Sequence, residues 1–361
     1  MITISTEQLW ERLVTAGLVT GDKPPQSDQH SPWFVRVMLG FAGWIGALFL
    51  LGFVGVSLGF IFRNSTAALI TGIAVCTAAA FIFRASRGKD FAVQFGLAVS
   101  FAGQALFIFG LMSIFRWGGS VSYLAIMIFE AVLAVVIINT IHRVVSAFAA
   151  AVSFSFALSS FGMPHLAPSL ITAGFVFVLI NELTWANRGP LVRPVGYGLA
   201  LALMYINGAL LMHTHIWLGG MANSSLNLVR ISYWAGIILN SAVFIFAVSR
   251  LLSREGFGFN DRLTKVALIA ALAIAISSFK APGIITGLVI VLLGYANGNR
   301  VLTGFGIFAL ISYLSHYYYQ MQATLLIKSA ALVTTGIVLL IARFLLDKIW
   351  SDKSQIGGIH A

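Results

Sequence analysis

Residues 310–336 read LISYLSHYYYQMQATLLIKSAALVTTG: two apolar runs around a knot of Ser, His, three Tyr and two Gln, with a Lys inside the second run. A helix of about 20 apolar residues covers the roughly 30 Å of hydrocarbon in a bilayer. The stretch therefore predicts two helices crossing lipid, joined by a tight polar turn. The runs are continuous and do not alternate, which argues against barrel strands; in lipid only helices and closed barrels satisfy the backbone.

The same reading extends outward over the chain. Of its 361 residues, 59% are hydrophobic and 9% charged, and the mean hydropathy is +0.95. Soluble domains carry about 25% charged residues, so a water-surrounded globule is excluded. Apolar runs between polar or Pro/Gly breaks place twelve candidate helices: 34–62, 66–83, 91–115, 121–140, 144–161, 168–185, 195–217, 231–252, 264–279, 282–296, 301–319 and 323–346. The expected fold is all-α, a polytopic transmembrane helical bundle. If the short pair broken at Pro282-Gly283 is a re-entrant hairpin, ten spans remain.

Charge orients the spans. With a cytoplasmic N-terminus and alternating spans, 17 of the 22 Lys and Arg face the cytoplasm. The other five, Arg63, Arg116, Arg230, Lys280 and Lys328, face outward. Cationic residues concentrate on the cytoplasmic side of such proteins, so both termini are expected there, and removing two spans keeps that parity. The formal charge of +11 is accounted for in this way, and no basic stretch carries the interleaved aromatics of a nucleic-acid module.

Three segments follow: a cytoplasmic N-terminal segment 1–32, a transmembrane helical domain 33–350 and a cytoplasmic tail 351–361. In the first, Ser5 with Gln8 forms a capping box and Ile4 with Leu9 a hydrophobic staple. Leu9, Leu13 and Val14 share a face, and Gly17 ends the helix. TGDKPPQSDQHSP (20–32) then reads as a tether, and nothing before the first run resembles a cleaved leader. In the first span Gly55/Gly59 and Ala42/Gly46 have the small-residue spacing of close helix packing. The single cysteine, Cys76, lies in an apolar run, where a packing role is expected.

Zinc-protease, P-loop, nucleophile-elbow and paired CxxC patterns are absent. GFGF at 256–259 follows a helix and is no dinucleotide fingerprint. What remains is polar residues at membrane depth, each of which carries a functional hypothesis. Glu130, in LAIMIFEAVLAVVII (124–138), lies near the midplane. It reads either as a substrate- or proton-binding carboxyl or as a structural hydrogen bond to Asn207 or Gln104. Those two residues read as helix–helix hydrogen bonds. Glu182 in LINELTW precedes Arg188 and Arg193 and is expected in an interfacial ion pair.

In the opening stretch Tyr317, Tyr318 and Tyr319 mark an aromatic belt. His316 and Lys328 each lie six residues from Gln322, so a tight hairpin brings them to similar depth on the outer side. His165, His213, His215, Arg230 and Lys280 fall on that side too. His213 and His215 are two apart, against the four-residue spacing of helical metal pairs, and no carboxylate joins them, so neither metal nor cofactor is expected. A pocket for an anionic head group or peptide carboxylate suits these residues better; otherwise they are interfacial anchors.

The run KAPGIITGLVIVLLGYANGNRVLTGFGIFALISYLSHYYYQMQATLLIKSAALVTTGIVLLIAR (280–343), with SPWFVRVMLGFAGWIGALFLLGF (31–53), resembles the bacterial membrane family called domain of unknown function 4401. Matching positions include Lys280, Pro282, Gly283, Gly294, Asn299, Arg300, His316, the Tyr trio, Leu326, Lys328, Ser329 and Gly336. The resemblance implies a multi-pass protein of the bacterial cytoplasmic (inner) membrane. It further implies a genomic neighbour, a membrane-anchored protein with a GDYxxLxY motif, and it supplies no reaction. Three functions are open: a non-catalytic membrane subunit pairing with an anchored, periplasm-exposed partner; a transporter or flippase using Glu130; and an enzyme acting on a lipid-linked substrate at the outer face, with His316 or His213 as base.

Overall fold

The structure is a computed structural model. It describes residues 6–17, 38, 41–46, 49, 52, 59, 64–85, 90–116, 118–182, 184–211, 226–258, 260–280, 282–320, 326, 329 and 333. Among them the chain is helical throughout, with no strand. The helices are α1 (Thr6–Thr15), α2 (Ser65–Ala85), α3 (Asp90–Ile114), α4 (Ser120–Val136), α5 (Thr140–Ser160), α6 (Leu166–Ile180), α7 (Gly189–Leu211), α8 (Leu226–Arg254), α9 (Arg262–Ser277), α10 (Pro282–Ala296) and α11 (Arg300–Gln320). Of these described helices α2, α3, α5, α7, α8 and α11 are long and apolar enough to cross a membrane. Exposed Val121, Ile128, Val132 and Val135 line one face of α4, while Ser122, Ile126, Glu130 and Leu133 fill the other. An apolar outer face over a partly polar inner one is the arrangement of a helix facing lipid. The chain is a helical membrane protein.

The helices fall into two compact units, Met1–Gly110 and Leu111–Ala361. In the first, Gly17 ends α1 with a left-handed φ of 69°, as its position predicts; Ser5 and Ile4 lie outside the described residues. Asn64 caps α2, its Oδ1 accepting from the backbone N–H groups of Thr66 and Ala67 at 3.0 and 3.2 Å. α2 and α3 then meet backbone to backbone. A methyl at Gly110 would lie 2.6 Å from the Leu69 nitrogen, and one at Gly72 2.5 Å from that of Phe107. Cys76 is buried in this seam with its Sγ 3.6 Å from the Ser100 carbonyl. Small residues thus give close backbone approach between α2 and α3; Gly55 of the pair expected in the first span lies outside the described residues.

In the second unit α4 and α5 form a hairpin, with Tyr123 stacked on Phe156 at 5.3 Å. Asn139 caps α5, accepting from the His142 N–H at 3.0 Å. α5 packs on α7, α6 on α8, and α10 on α11. Their shared core includes Phe175, Leu203, Ile206, Ile285, Val289, Leu293 and Leu302. α9 packs on α8 and α10 on α11.

Several helix ends differ from the hydropathy reading. The span expected over 121–140 stops at Val136, because Ile137 turns to extended backbone and Asn139 starts the next helix. The span expected from 195 begins at Gly189, where Pro190 suits a first helical turn. The span expected to reach 185 stops at Ile180. Hydropathy sees the width of an apolar run; caps decide where the helix starts and stops.

Candidate functional site

Polar groups of the second unit collect at its two ends. At one end α5 finishes and α6, α8 and α10 begin, while α7 and α11 finish. They leave a cavity of about 310 Å³. His165, Ser169, Asn207, Tyr233, Asn240, His316 and Tyr317 contribute its polar lining, with Leu210, Leu211, Ile237 and Pro168 between them.

Asn240 lies mid-way along α8, and the other polar lining residues lie near helix starts or finishes. The His165 ring stands edge-on to Tyr233, centroids 5.3 Å apart at 89°. The Tyr233 hydroxyl donates to the Phe279 carbonyl at 3.3 Å. Ser169 Oγ donates to the Gly236 carbonyl at 2.7 Å, tying α6 to α8. Gly236 has no room for a side chain: a Cβ would lie 3.0 Å from the His165 carbonyl carbon and nearer still to its oxygen. Asn240 Nδ2 donates to Thr286 Oγ1 on α10 at 3.4 Å. His316 stands edge-on to Tyr317 and borders a second cavity of about 160 Å³ with Met204, Gly208 and Ser312. Among the described residues no fixed charge lines the larger cavity. Its chemistry is that of amides, hydroxyls and imidazoles against aromatic edges, which suits polar groups able to exchange hydrogen bonds.

The opposite end carries the buried charges Glu182 and Arg143. Arg193 Nε donates to Glu182 Oε1 at 2.6 Å, and Asn297 Nδ2 donates to Glu182 Oε2 and to the Leu179 carbonyl, each at 3.0 Å. Glu182 is 5% exposed and Arg193 61%, so two hydrogen bonds hold a buried carboxylate while its counter-ion reaches solvent. Arg254 donates to Asn297, and Asn299 bonds Tyr197. A cavity of about 520 Å³ opens here, bordered by Thr140, Glu182, Pro190, Arg193 and Tyr197. Buried Arg143 spans the gap beside it. Its Nε donates to the Ala134 carbonyl at 3.2 Å, Nη2 to that of Val135 at 3.5 Å and Nη1 to that of Pro190 at 2.8 Å.

The residues singled out from sequence distribute as follows. His316 and Asn207 meet at the first cavity, and Lys280 closes the 3₁₀ turn Ser278–Lys280 at the same end. His213, His215 and Lys328 lie outside the described residues, as does the side chain of Lys280. Glu182 pairs with Arg193 rather than Arg188. Gln104 is buried in the first unit. Glu130 is fully buried on α4, yet neither carboxyl oxygen makes a hydrogen bond among the described residues. The structural bond expected to Asn207 is not formed: Asn207 donates to the Leu203 carbonyl of its own helix at 2.8 Å. Ser169, Tyr233 and Asn240 escaped the sequence reading. Asn240, a polar amide in the apolar run GIILNSAVF (236–244), carried the same signal as Asn207. No group of three or more His, Cys, Asp and Glu is placed to hold a metal among the described residues.

A family model described as Domain of unknown function (DUF4401) matches residues 32–349. No curated protein and no solved structure matches the chain.

Proposed function

The chain belongs to the DUF4401 family, and on that premise we propose that it is a non-catalytic subunit of the bacterial inner membrane. Its His316 end faces the periplasm and receives a membrane-anchored, periplasm-exposed partner, the GDYxxLxY-motif neighbour that the family implies. Twelve spans with both termini in the cytoplasm put the Glu182 end inside, where Arg143, Arg188, Arg193 and Arg254 gather. Packing supports two crossings at 262–296 over a re-entrant hairpin, since α9 packs on α8 and α10 on α11.

One observation carries the reading. The cavity at the His316 end is bounded by helix ends and backed by the packed core of Phe175, Leu203 and Ile285. It has the shape of a receptacle, and none of the residues lining it belongs to α4, the helix of Glu130. A transporter needs continuity between the two, and an enzyme needs a carboxylate or comparable group to assist His316; the described lining supplies neither.

Co-purification tests this. Extracted together in mild detergent, the chain and the anchored neighbour are expected to elute as one complex. His316→Ala combined with Asn240→Ala should reduce recovery about tenfold or more, as truncation of central contacts does. A wild-type chain that elutes alone beside an abundant neighbour would remove the proposal.

A further inference from the structure

We infer that Glu130 is a proton-binding site inside the membrane domain, loaded from the Glu182 end through His142 and Ser146. This goes beyond partner binding and stands on different residues.

The geometry is a short ladder on facing helices. α4 and α5 are antiparallel across the Asn139 turn. Counting at 1.5 Å per residue, Glu130 lies about 9 Å from the end of α4 and Ser146 about 9 Å from the start of α5. His142 lies about 3 Å in on the same count. All three side chains are buried. His142 and Ser146 are one turn apart, with His142 Nδ1 and Ser146 Oγ separated by 3.4 Å. Ser146 is the side chain beside the Glu130 carboxyl, whose two oxygens are otherwise without a hydrogen bond among the described residues. A buried carboxyl with a single serine hydroxyl beside it and no counter-ion carries a cost in lipid. It does have somewhere to take a proton from. The cavity of about 520 Å³ is bordered by Thr140 and Pro190, and the Pro190 carbonyl holds Arg143, the residue beside His142. Arg143 is the charged group facing the ladder, and α5 supplies the other titratable group, His142.

The transfer balances with no electron moved. Neutral His142 takes a proton from a hydronium ion that arrives from the cavity side, leaving water, and becomes imidazolium. Its Nδ1 proton passes to Ser146 Oγ as the Ser146 hydroxyl proton passes to a Glu130 oxygen. His142 is again neutral and Glu130 is a carboxylic acid; the reverse path empties it.

Infrared spectroscopy of the full chain in proteoliposomes tests this. A carboxylic C=O band lost in Glu130→Gln should appear as pH falls. Its shift on transfer to D₂O should slow about a hundredfold in Ser146→Ala, the scale of losing a positioned proton carrier. The same band in wild type and Glu130→Gln would overturn the site, and unchanged exchange in Ser146→Ala would overturn the route. If Glu130→Gln fails to assemble, dicyclohexylcarbodiimide labelling of wild-type vesicles decides. A Glu130 adduct that forms faster at acid pH, and more slowly in Ser146→Ala, is expected, and no adduct on Glu130 contradicts the inference.

Discussion

Arg143→Met will cost about 3 kcal/mol of stability, because one buried guanidinium supplies hydrogen bonds to three carbonyls. A helix leaves its last carbonyls without intrahelical partners, and the end of α4 solves this with a side chain from the next helix. Arg143 is 7% exposed and bonds Ala134 and Val135 at that end. It also bonds Pro190 at the start of α7. A cation at a helix C-terminus further matches the macrodipole. Met keeps much of the stem volume and removes every donor, so the loss reads the bonds and not the packing. Lys would recover only part, since an ammonium cannot reproduce the planar fork that reaches separated acceptors. Denaturant unfolding of the purified protein in micelles is the measurement. A change below about 1 kcal/mol would place the substitution among ordinary ones and show that α4, α5 and α7 are held by packing alone.

Gly236→Ala is the second large effect. A single methyl there meets the His165 backbone, so α6 and α8 must separate and the Ser169–Gly236 bond must stretch. Overpacking of this kind costs about 1–3 kcal/mol. Here the strain falls on the rim of the cavity, because His165, Ser169 and Gly236 all line it. Gly174→Ala, at an exposed position of α6, is the control: nothing lies within 4 Å of its added Cβ, and it should gain up to about 1 kcal/mol of helix propensity. Unfolding midpoints that move in opposite directions are expected. Equal shifts would mean that the α6–α8 contact is loose.

How much of this was legible beforehand depended on the kind of signal. Helix type followed from apolar length, and ten of the twelve runs correspond to α2–α11; the runs at 34–62 and 323–346 lie largely outside the described residues. Ends such as Asn139 and Pro190 did not follow, since one capping side chain outweighs several apolar neighbours. Glu130 and Glu182 stood out because a carboxylate in an apolar run is costly wherever it points. The bonding of Glu182 by Asn297, 115 positions away, had no local trace. The cavity was half visible: His316 and Asn207 could be placed at depth, whereas its walls depend on Gly236 and Ser169, whose roles arise only when α6 meets α8.

The most direct test of the receptor account is photocrosslinking in living cells. A photoreactive phenylalanine replaces Tyr317 at the cavity or Tyr295, which is 82% exposed near the opposite end of α10. With the anchored neighbour co-expressed, the account predicts an adduct between the two proteins from position 317 and none from 295. No adduct from 317, or equal adducts from both positions, would contradict it.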